Sequence, residues 1–154
     1  MMSSDLCPCN SKKLYRDCCQ RLHKQQTIAC SPEQLMRSRY CAFVKQEFEY
    51  IIDTHAPEFL NGLTVDQLNK PPLPQWLNLD VIDATMDNEQ GTVTFKAWYK
   101  IGKKVDVIFE KSNFVRRNDH WFYTNGEHFE TRLPERNEPC ICLSGKKFKK
   151  CCGR

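Results

Sequence analysis

Ten cysteines occur among the 154 residues, and eight of them obey one rule. Cys140-Ile-Cys142 is followed after eight residues by Cys151-Cys152, and Cys7-Pro-Cys9 is followed at the same interval by Cys18-Cys19, so C-x-C-x8-C-C occurs twice. Each copy also carries a serine, a lysine pair and an aromatic residue three positions before the paired cysteines: Ser11 and Tyr15 in one, Ser144 and Phe148 in the other. Four soft donors converging at about 2.3 Å are what a tetrahedral metal ion requires, and a set of four protein ligands leaves no open position for catalysis. Zinc at two structural sites is the expectation, and a single iron suits four sulfurs as well. A disulfide framework or a set of buried free thiols would use the same residues. The duplicated spacing and the lack of an export signal favour metal.

These thiols need elements to carry them. The length allows one domain with a core of its own plus appendages too small to have one. We therefore expect metal modules at residues 1–24 and 136–154 around a domain at 31–130. Residues 20–30 read as a polar connector in which His23 is solvated rather than a ligand, and Cys30 as a small filler or a free thiol. Ser31-Pro32-Glu33-Gln34 starts a helix, with Ser31 as N-cap and Gln34 closing a capping box. The spacing predicts a helix to about Thr54, with Met36, Tyr40, Val44, Phe48, Ile51 and His55 on its apolar face and Arg37, Arg39, Lys45, Gln46 and Glu49 wet. Cys41 shares no partner's spacing and reads as an ordinary helix residue. A second capping box stands at Thr64-Val-Asp-Gln67, and Pro71-Pro72-Leu-Pro74 is a loop.

From Leu77 the period falls to two. Strands are expected at Leu79–Met86, along residues 92–101, at Val105–Arg117 and at Trp121–Thr124, with Gly126 ending the sheet. One long helix on a curved antiparallel four-stranded meander is an α+β roll. No apolar run approaches the roughly 18 residues of a membrane helix, and Met1-Met-Ser-Ser-Asp-Leu lacks the layout of a signal peptide, so a cytoplasmic protein is expected. Residues 1–24 hold five Lys or Arg against two acids and residues 137–154 five against one, while the middle is acidic by thirteen against sixteen. A divalent ion on four thiolates leaves each site two charges negative, which brings the loaded chain near neutrality. Binding of nucleic acid by lysines interleaved with Tyr15 and Phe148 is therefore only weakly supported.

The run Arg136-Asn137-Glu138-Pro139-Cys140-x-Cys142-Leu143-Ser144-Gly145-Lys146-Lys147-Phe148-Lys149-Lys150-Cys151-Cys152-Gly153 resembles the SEC-C motif, the zinc-binding tail of the SecA translocation ATPase. Leu143 stands where that motif has glycine, and the first module lacks the glycines around its serine. Both copies end in Cys-Cys where SecA has a final histidine, so the resemblance implies all-sulfur ligation. Pro32-Glu33-x-Leu35-Met36-Arg37-Ser38-Arg39-Tyr40, Trp76-Leu77-x-Leu79, Glu110-x-Ser112-x-Phe114 and Trp121-Phe-Tyr123 resemble the bacterial YchJ family across nearly the whole chain. That resemblance implies a roll of the cystatin or nuclear-transport-factor-2 type.

Two functions follow as expectations. One is a non-enzymatic interaction protein whose modules dock through basic and aromatic surfaces: Lys12, Lys13, Tyr15 and Arg16, and above all Lys146, Lys147, Phe148, Lys149 and Lys150. The SEC-C resemblance implies a SecB-type chaperone or the ribosome as partner. The other is a small-ligand binder or enzyme using the roll's interior, with Tyr40, His55, Asp83, Trp98, Glu110 and Tyr123 near its wall. No acid and base stand at a spacing that marks catalysis.

Overall fold

The structure is a computed structural model that describes residues 5–154. Its element order is α1 (Cys19–His23), α2 (Pro32–Lys45), α3 (Phe48–Asp53), α4 (Val65–Leu68) and then β1 (Gln75–Met86), β2 (Gln90–Ile101), β3 (Lys104–Arg117) and β4 (His120–Phe129). The strands form one antiparallel sheet in the order β1-β2-β3-β4. No helix among the described residues is long and apolar enough to cross a membrane.

Ser31 caps α2 by accepting the Gln34 backbone N–H at 3.1 Å. The return half of the expected capping box is displaced by one residue, because the Gln34 side chain accepts from Cys30 N–H at 2.7 Å and leaves the Cys30 side chain exposed. The second box, Thr64 with Gln67, is reciprocal.

The helix expected to run unbroken to Thr54 is two helices. Gln46 takes a left-handed conformation (φ 60°), and the N–H groups of Gln46 and Glu47 turn back onto the carbonyls of Phe43 and Ala42 at 3.4 and 2.8 Å. This is the Schellman ending, which satisfies carbonyls that the last turn would otherwise leave bare. Glycine is its usual signal and here is absent, so the pattern of apolar residues runs through the break unchanged. The bend lets Tyr50 Oη reach Ser38 Oγ at 2.7 Å and sets the rings of Phe43 and Phe48 edge to face, 6.4 Å apart.

The core lies between α2 and one face of the sheet, where Leu35, Met36 and Tyr40 meet Leu79, Val93, Phe95, Ala97, Phe114 and Trp121. Beyond α3 the chain pairs with β4: Tyr123 N–H donates to Thr54 O at 2.9 Å and Ala56 N–H to Tyr123 O at 2.8 Å. Those two bonds bring His55 and Tyr123 side by side, with ring centroids 5.1 Å apart.

The sheet does not end at Gly126. β4 continues to Phe129, and Gly126 pairs with Ser112 opposite. The glycine is needed for space: a Cβ there would lie 2.0 Å from Glu110 Oε2. Glu110 is held by hydrogen bonds from Ser112 Oγ and Tyr123 Oη at 2.7 and 2.9 Å, so it cannot swing aside without losing them. Gly126→Ala should therefore destabilise the roll by about 1–3 kcal/mol, the cost of leaving such a buried group unsatisfied. Urea unfolding measures this, and an unchanged midpoint would contradict it.

Candidate metal centres

The two cysteine modules fold alike although their sequences differ. In each, the first cysteine's N–H closes a loop onto a lysine carbonyl, Cys7 onto Lys13 O at 2.7 Å and Cys140 onto Lys146 O at 2.9 Å. A short 3-10 turn follows, Tyr15–Asp17 or Phe148–Lys150, and the next cysteine has nearly the same dihedrals in both, φ −131°, ψ −113° at Cys18 and φ −133°, ψ −114° at Cys151. Left-handed residues recur at matching places, Asn10 (φ 67°) with Leu143 (φ 64°) and Lys12 (φ 71°) with Gly145 (φ 86°). Leu143 thus keeps the turn despite lacking glycine's freedom, and its exposed side chain obstructs nothing.

Within each set, Cys7, Cys9, Cys18 and Cys19 or Cys140, Cys142, Cys151 and Cys152, all sulfurs lie within 4.8 Å of one another. Close pairs are Cys9–Cys18 at 3.7 Å, Cys18–Cys19 at 3.9 Å and Cys142–Cys151 at 3.4 Å. A tetrahedron with metal–sulfur bonds of ~2.3 Å has edges of ~3.8 Å, so each cluster can hold one metal ion. The separations are far beyond a disulfide bond of about 2.05 Å, and all ten thiols are free.

Crowded thiols cannot ionise together without a cation. Hydrogen bonds from Cys19, Cys41 and Cys9 pull Cys7 far below the ordinary thiol value, while Cys41, Cys7 and Cys9 push Cys19 far above it. Burial, then Cys140 and Cys142, push Cys152 up in the second cluster. A divalent ion removes that conflict by stabilising all four thiolates at once.

The repeated serine has a role that its recurrence signalled but its chemistry alone did not. Ser11 Oγ accepts Lys13 N–H at 3.2 Å and lies 3.2 Å from Cys18 Sγ; Ser144 Oγ accepts Lys146 N–H at 3.2 Å and lies 3.3 Å from Cys151 Sγ. Having accepted from the backbone, the hydroxyl can give its own proton to a ligand sulfur, the outer-sphere support that metal sites commonly carry.

The modules differ in how they join the roll. The first is built into it. Arg37 Nη1 donates to Cys9 O at 2.6 Å, Asn10 Nδ2 donates to Leu79 O at 3.3 Å, and Lys45 Nζ stands 4.5 Å above the Tyr15 ring. His23, expected in solvent, bridges module and helix: Nε2 lies 2.9 Å from Ser38 O and Nδ1 2.8 Å from Tyr15 Oη. A carbonyl only accepts, so Nε2 carries the proton and Nδ1 takes the tyrosine's. Burial pushes the His23 pKa below its usual value, which suits that neutral form.

Cys41, expected to be an ordinary helix residue, is fully buried against this cluster, with its Sγ 3.7 Å from Cys7 Sγ. With Cys7 ionised as a ligand, only Cys41 retains a proton to donate. No spacing in the sequence could reveal it, because the first module and α2 meet only in the folded chain. Tyr15 is buried as well and offers no exposed stacking surface.

The second module closes its hydrogen bonds on itself and on linker residues among the described residues. Phe148 N–H donates to Glu138 O at 2.8 Å, and Arg132 holds the Glu138 carboxylate through both Nη atoms at 2.8 and 3.1 Å. Lys146, Lys147, Lys149, Lys150 and Arg154 surround one shallow concavity, and the Phe148 ring packs against Gly153.

In the roll, a cavity of about 250 Å³ opens between α2, α3 and the sheet. Tyr40, His55, Glu110 and Tyr123 line it. Asp83 and Trp98 do not. Asp83 is exposed on the edge strand β1, where only β2 flanks it. Trp98 alternates to the opposite face of the sheet from Phe95 and Ala97, donates Nε1–H to Asp80 Oδ2 at 3.2 Å and is covered beside Arg132, Pro134 and Ile141. Arg39, placed on the wet face by its spacing, lines the cavity and is only 9% exposed. Its burial follows from the bend at Gln46, which folds α3 back over it.

An α+β roll with a four-cysteine cluster toward each end of the chain is the class of protein that the fold and the clusters define. The description "YchJ, middle NTF2-like domain" fits residues 31–126, and the SEC-C motif fits residues 4–21 and 136–154. The chain belongs to the YchJ family, also called UPF0225. A UPF0225 protein of Shewanella sp. (strain MR-7) is 52% identical, with 99% of this chain and 98% of that protein covered, and one of Vibrio cholerae is 37% identical, with 96% and 99% covered. Among solved structures, a SEC-C motif containing protein from Rhodopseudomonas palustris has TM-score 0.75 at 33% identity, over 80% of this chain and 98% of that one. Another from Psychrobacter arcticus has TM-score 0.70 at 31% identity, over 98% and 97%.

Two outcomes follow from these centres. Cys41→Ala should weaken metal binding at the first centre by about 10–100-fold, the usual cost of losing an outer-sphere donor, with the second unaffected. Competition with a chromophoric chelator measures both sites in one titration. Leu143→Gly should stabilise the second module by about 1 kcal/mol by relieving its left-handed residue; tighter metal retention there is the readout, and a weaker site would contradict it.

Proposed function

We propose that the chain is a zinc-binding interaction protein of the cytoplasm, the reducing compartment in which four-thiolate sites persist. Its first centre ties the N-terminal segment to the roll, and its second presents a docking knob. The observation that carries this reading is the contrast between the modules. One is sewn to the roll through Arg37, His23 and Cys41. The other keeps Lys146, Lys147 and Lys150 exposed around a concavity that Lys149 and Arg154 also line, with Phe148 half-buried nearby in the chain. Such a surface suits an acidic protein face, and the SEC-C likeness points to a SecB-type chaperone or the ribosome. Zinc suits all-sulfur tetrahedral ligation, as does iron, and metal analysis separates them.

Elemental mass spectrometry on protein purified without added metal should find two zinc ions per chain and eight protected thiols. Cys140→Ser should leave one ion and free the amides of residues 136–154 to exchange while the roll stays protected. Loss of the roll's protection would refute the separation of the two modules. Replacing Lys146, Lys147, Lys149 and Lys150 together by Glu should weaken sedimentation with ribosomes or binding to purified SecB by at least about tenfold, more at low salt than at high. Unchanged binding to either partner, or none by the native chain, would remove the docking reading.

A further inference from the structure

Arg39 is a buried cation without a carboxylate. Its Nη1 donates to Ile51 O at 2.9 Å and to Thr54 Oγ1 at 2.7 Å, which fastens the end of α3. The guanidinium lies over the Tyr123 ring, 4.8 Å from the centroid. Its Nε–H and both Nη2 protons have no partner among the described residues. No fully buried side-chain nitrogen or oxygen among them lacks a partner, so these nitrogens reach open space, and the space that Arg39 lines is the cavity. Burial pulls the Arg39 pKa down to about 10, still charged near neutrality.

The one acid lining the cavity does not pair with Arg39. Glu110 Oε2 is taken by Ser112 Oγ and Tyr123 Oη, and Oε1 lies 3.0 Å from His128 Nε2. His55 adds a different function. Its Nδ1 faces Ala56 O at 3.2 Å and so carries the ring proton in the neutral form, which leaves Nε2 as an acceptor with no partner among the described residues. The rest of the wall is aromatic and aliphatic, with Trp76, Phe95 and Phe114 in it.

Charged side chains this deeply buried are ordinarily paired, because an uncompensated charge is costly away from water. Nε and Nη2 form one edge of the guanidinium, the fork that grips a carboxylate with two parallel hydrogen bonds. Glu110 acts on Arg39 through its field but makes no hydrogen bond to it, so the free edge of the guanidinium is open to a single carboxylate. The volume falls below the ~300 Å³ at which pockets for drug-sized ligands begin, so the occupant is compact. We propose that the roll's cavity binds a small monocarboxylate with an apolar, preferably aromatic, body: the head on Nε and Nη2 of Arg39, the body against the aromatic wall, and a hydroxyl or amide hydrogen, where present, on His55 Nε2. This site is independent of both metal centres.

The test uses the zinc-loaded full-length protein, titrated by calorimetry with benzoate, phenylacetate and 3-methylbutanoate, alongside benzamide and inorganic phosphate. At least one carboxylate should bind saturably, at least about tenfold more tightly than benzamide or phosphate, the factor expected of a charge-assisted hydrogen bond. The Arg39 Nε–H resonance should shift with the same midpoint. Arg39→Gln should abolish the preference for carboxylate over amide. Because Arg39 also fastens α3, a second variant keeps it: Ala97→Leu fills the cavity from the sheet and should remove binding while circular dichroism stays native. Saturation by none of the three carboxylates, equal binding of benzamide or phosphate, or undiminished binding by a folded Ala97→Leu protein would overturn the proposal and leave Arg39 as a fastener of α3 alone.

Discussion

Four thiols within 4.8 Å of one another are a constraint before they are a site. Left to themselves they share hydrogen bonds and resist further ionisation; given a divalent ion they become four ligands and pull two distant stretches of each module together. Both modules are too short to bury much apolar surface, so a bound metal would supply much of their folding energy, as it does in other small metal-bound domains. At the N-terminal end the consequence spreads, because the cluster is also a packing surface: Cys7, Cys9 and Cys19 are buried with Tyr15 and Cys41 in one continuous group.

That packing explains the unusual burial of α2. A surface helix keeps one face wet. Here the sheet covers one side, the first cysteine module another and α3 part of a third, so Leu35, Ser38, Arg39, Cys41 and Ala42 are buried along with the expected Met36 and Tyr40. Polar groups trapped this way must find partners. Ser38 bonds Leu35 O and Tyr50 Oη, and its carbonyl receives His23. Arg39 finds only part of what it needs, and the remainder faces the cavity.

The two ends of the chain carry the same device in different surroundings. A thiolate cluster fixes a short loop without a core, which makes it equally fit to weld a segment to a domain or to hold a compact knob at the end of a linker. What decides between these is the surrounding surface: Asn10, Tyr15 and His23 give the first module bonds and contacts toward the roll, whereas the second surrounds itself with lysines and keeps Glu138 for its own linker.

The thiol pattern, the Ser31 cap, the Thr64 box and the period-two strands were legible from residue order alone, because each rests on contacts among near neighbours or on a spacing that repeats. The break at Gln46 was not, since the residue in the left-handed position is not a glycine and the apolar stripe passes through it. Gly126 looked like a terminator because a glycine in a strand says nothing about which side chain needs its space; only pairing of β3 with β4 put Glu110 there. Asp83 and Trp98 had suitable chemistry at unsuitable places, an edge strand and the outer face of the sheet. Residue order therefore settles the two four-cysteine modules, the α+β class and the caps at Ser31 and Thr64. The tertiary structure alone decided that Cys41 joins the first centre and that Arg39 faces a cavity, because burial of a helix on a second side depends on what a remote segment packs against it.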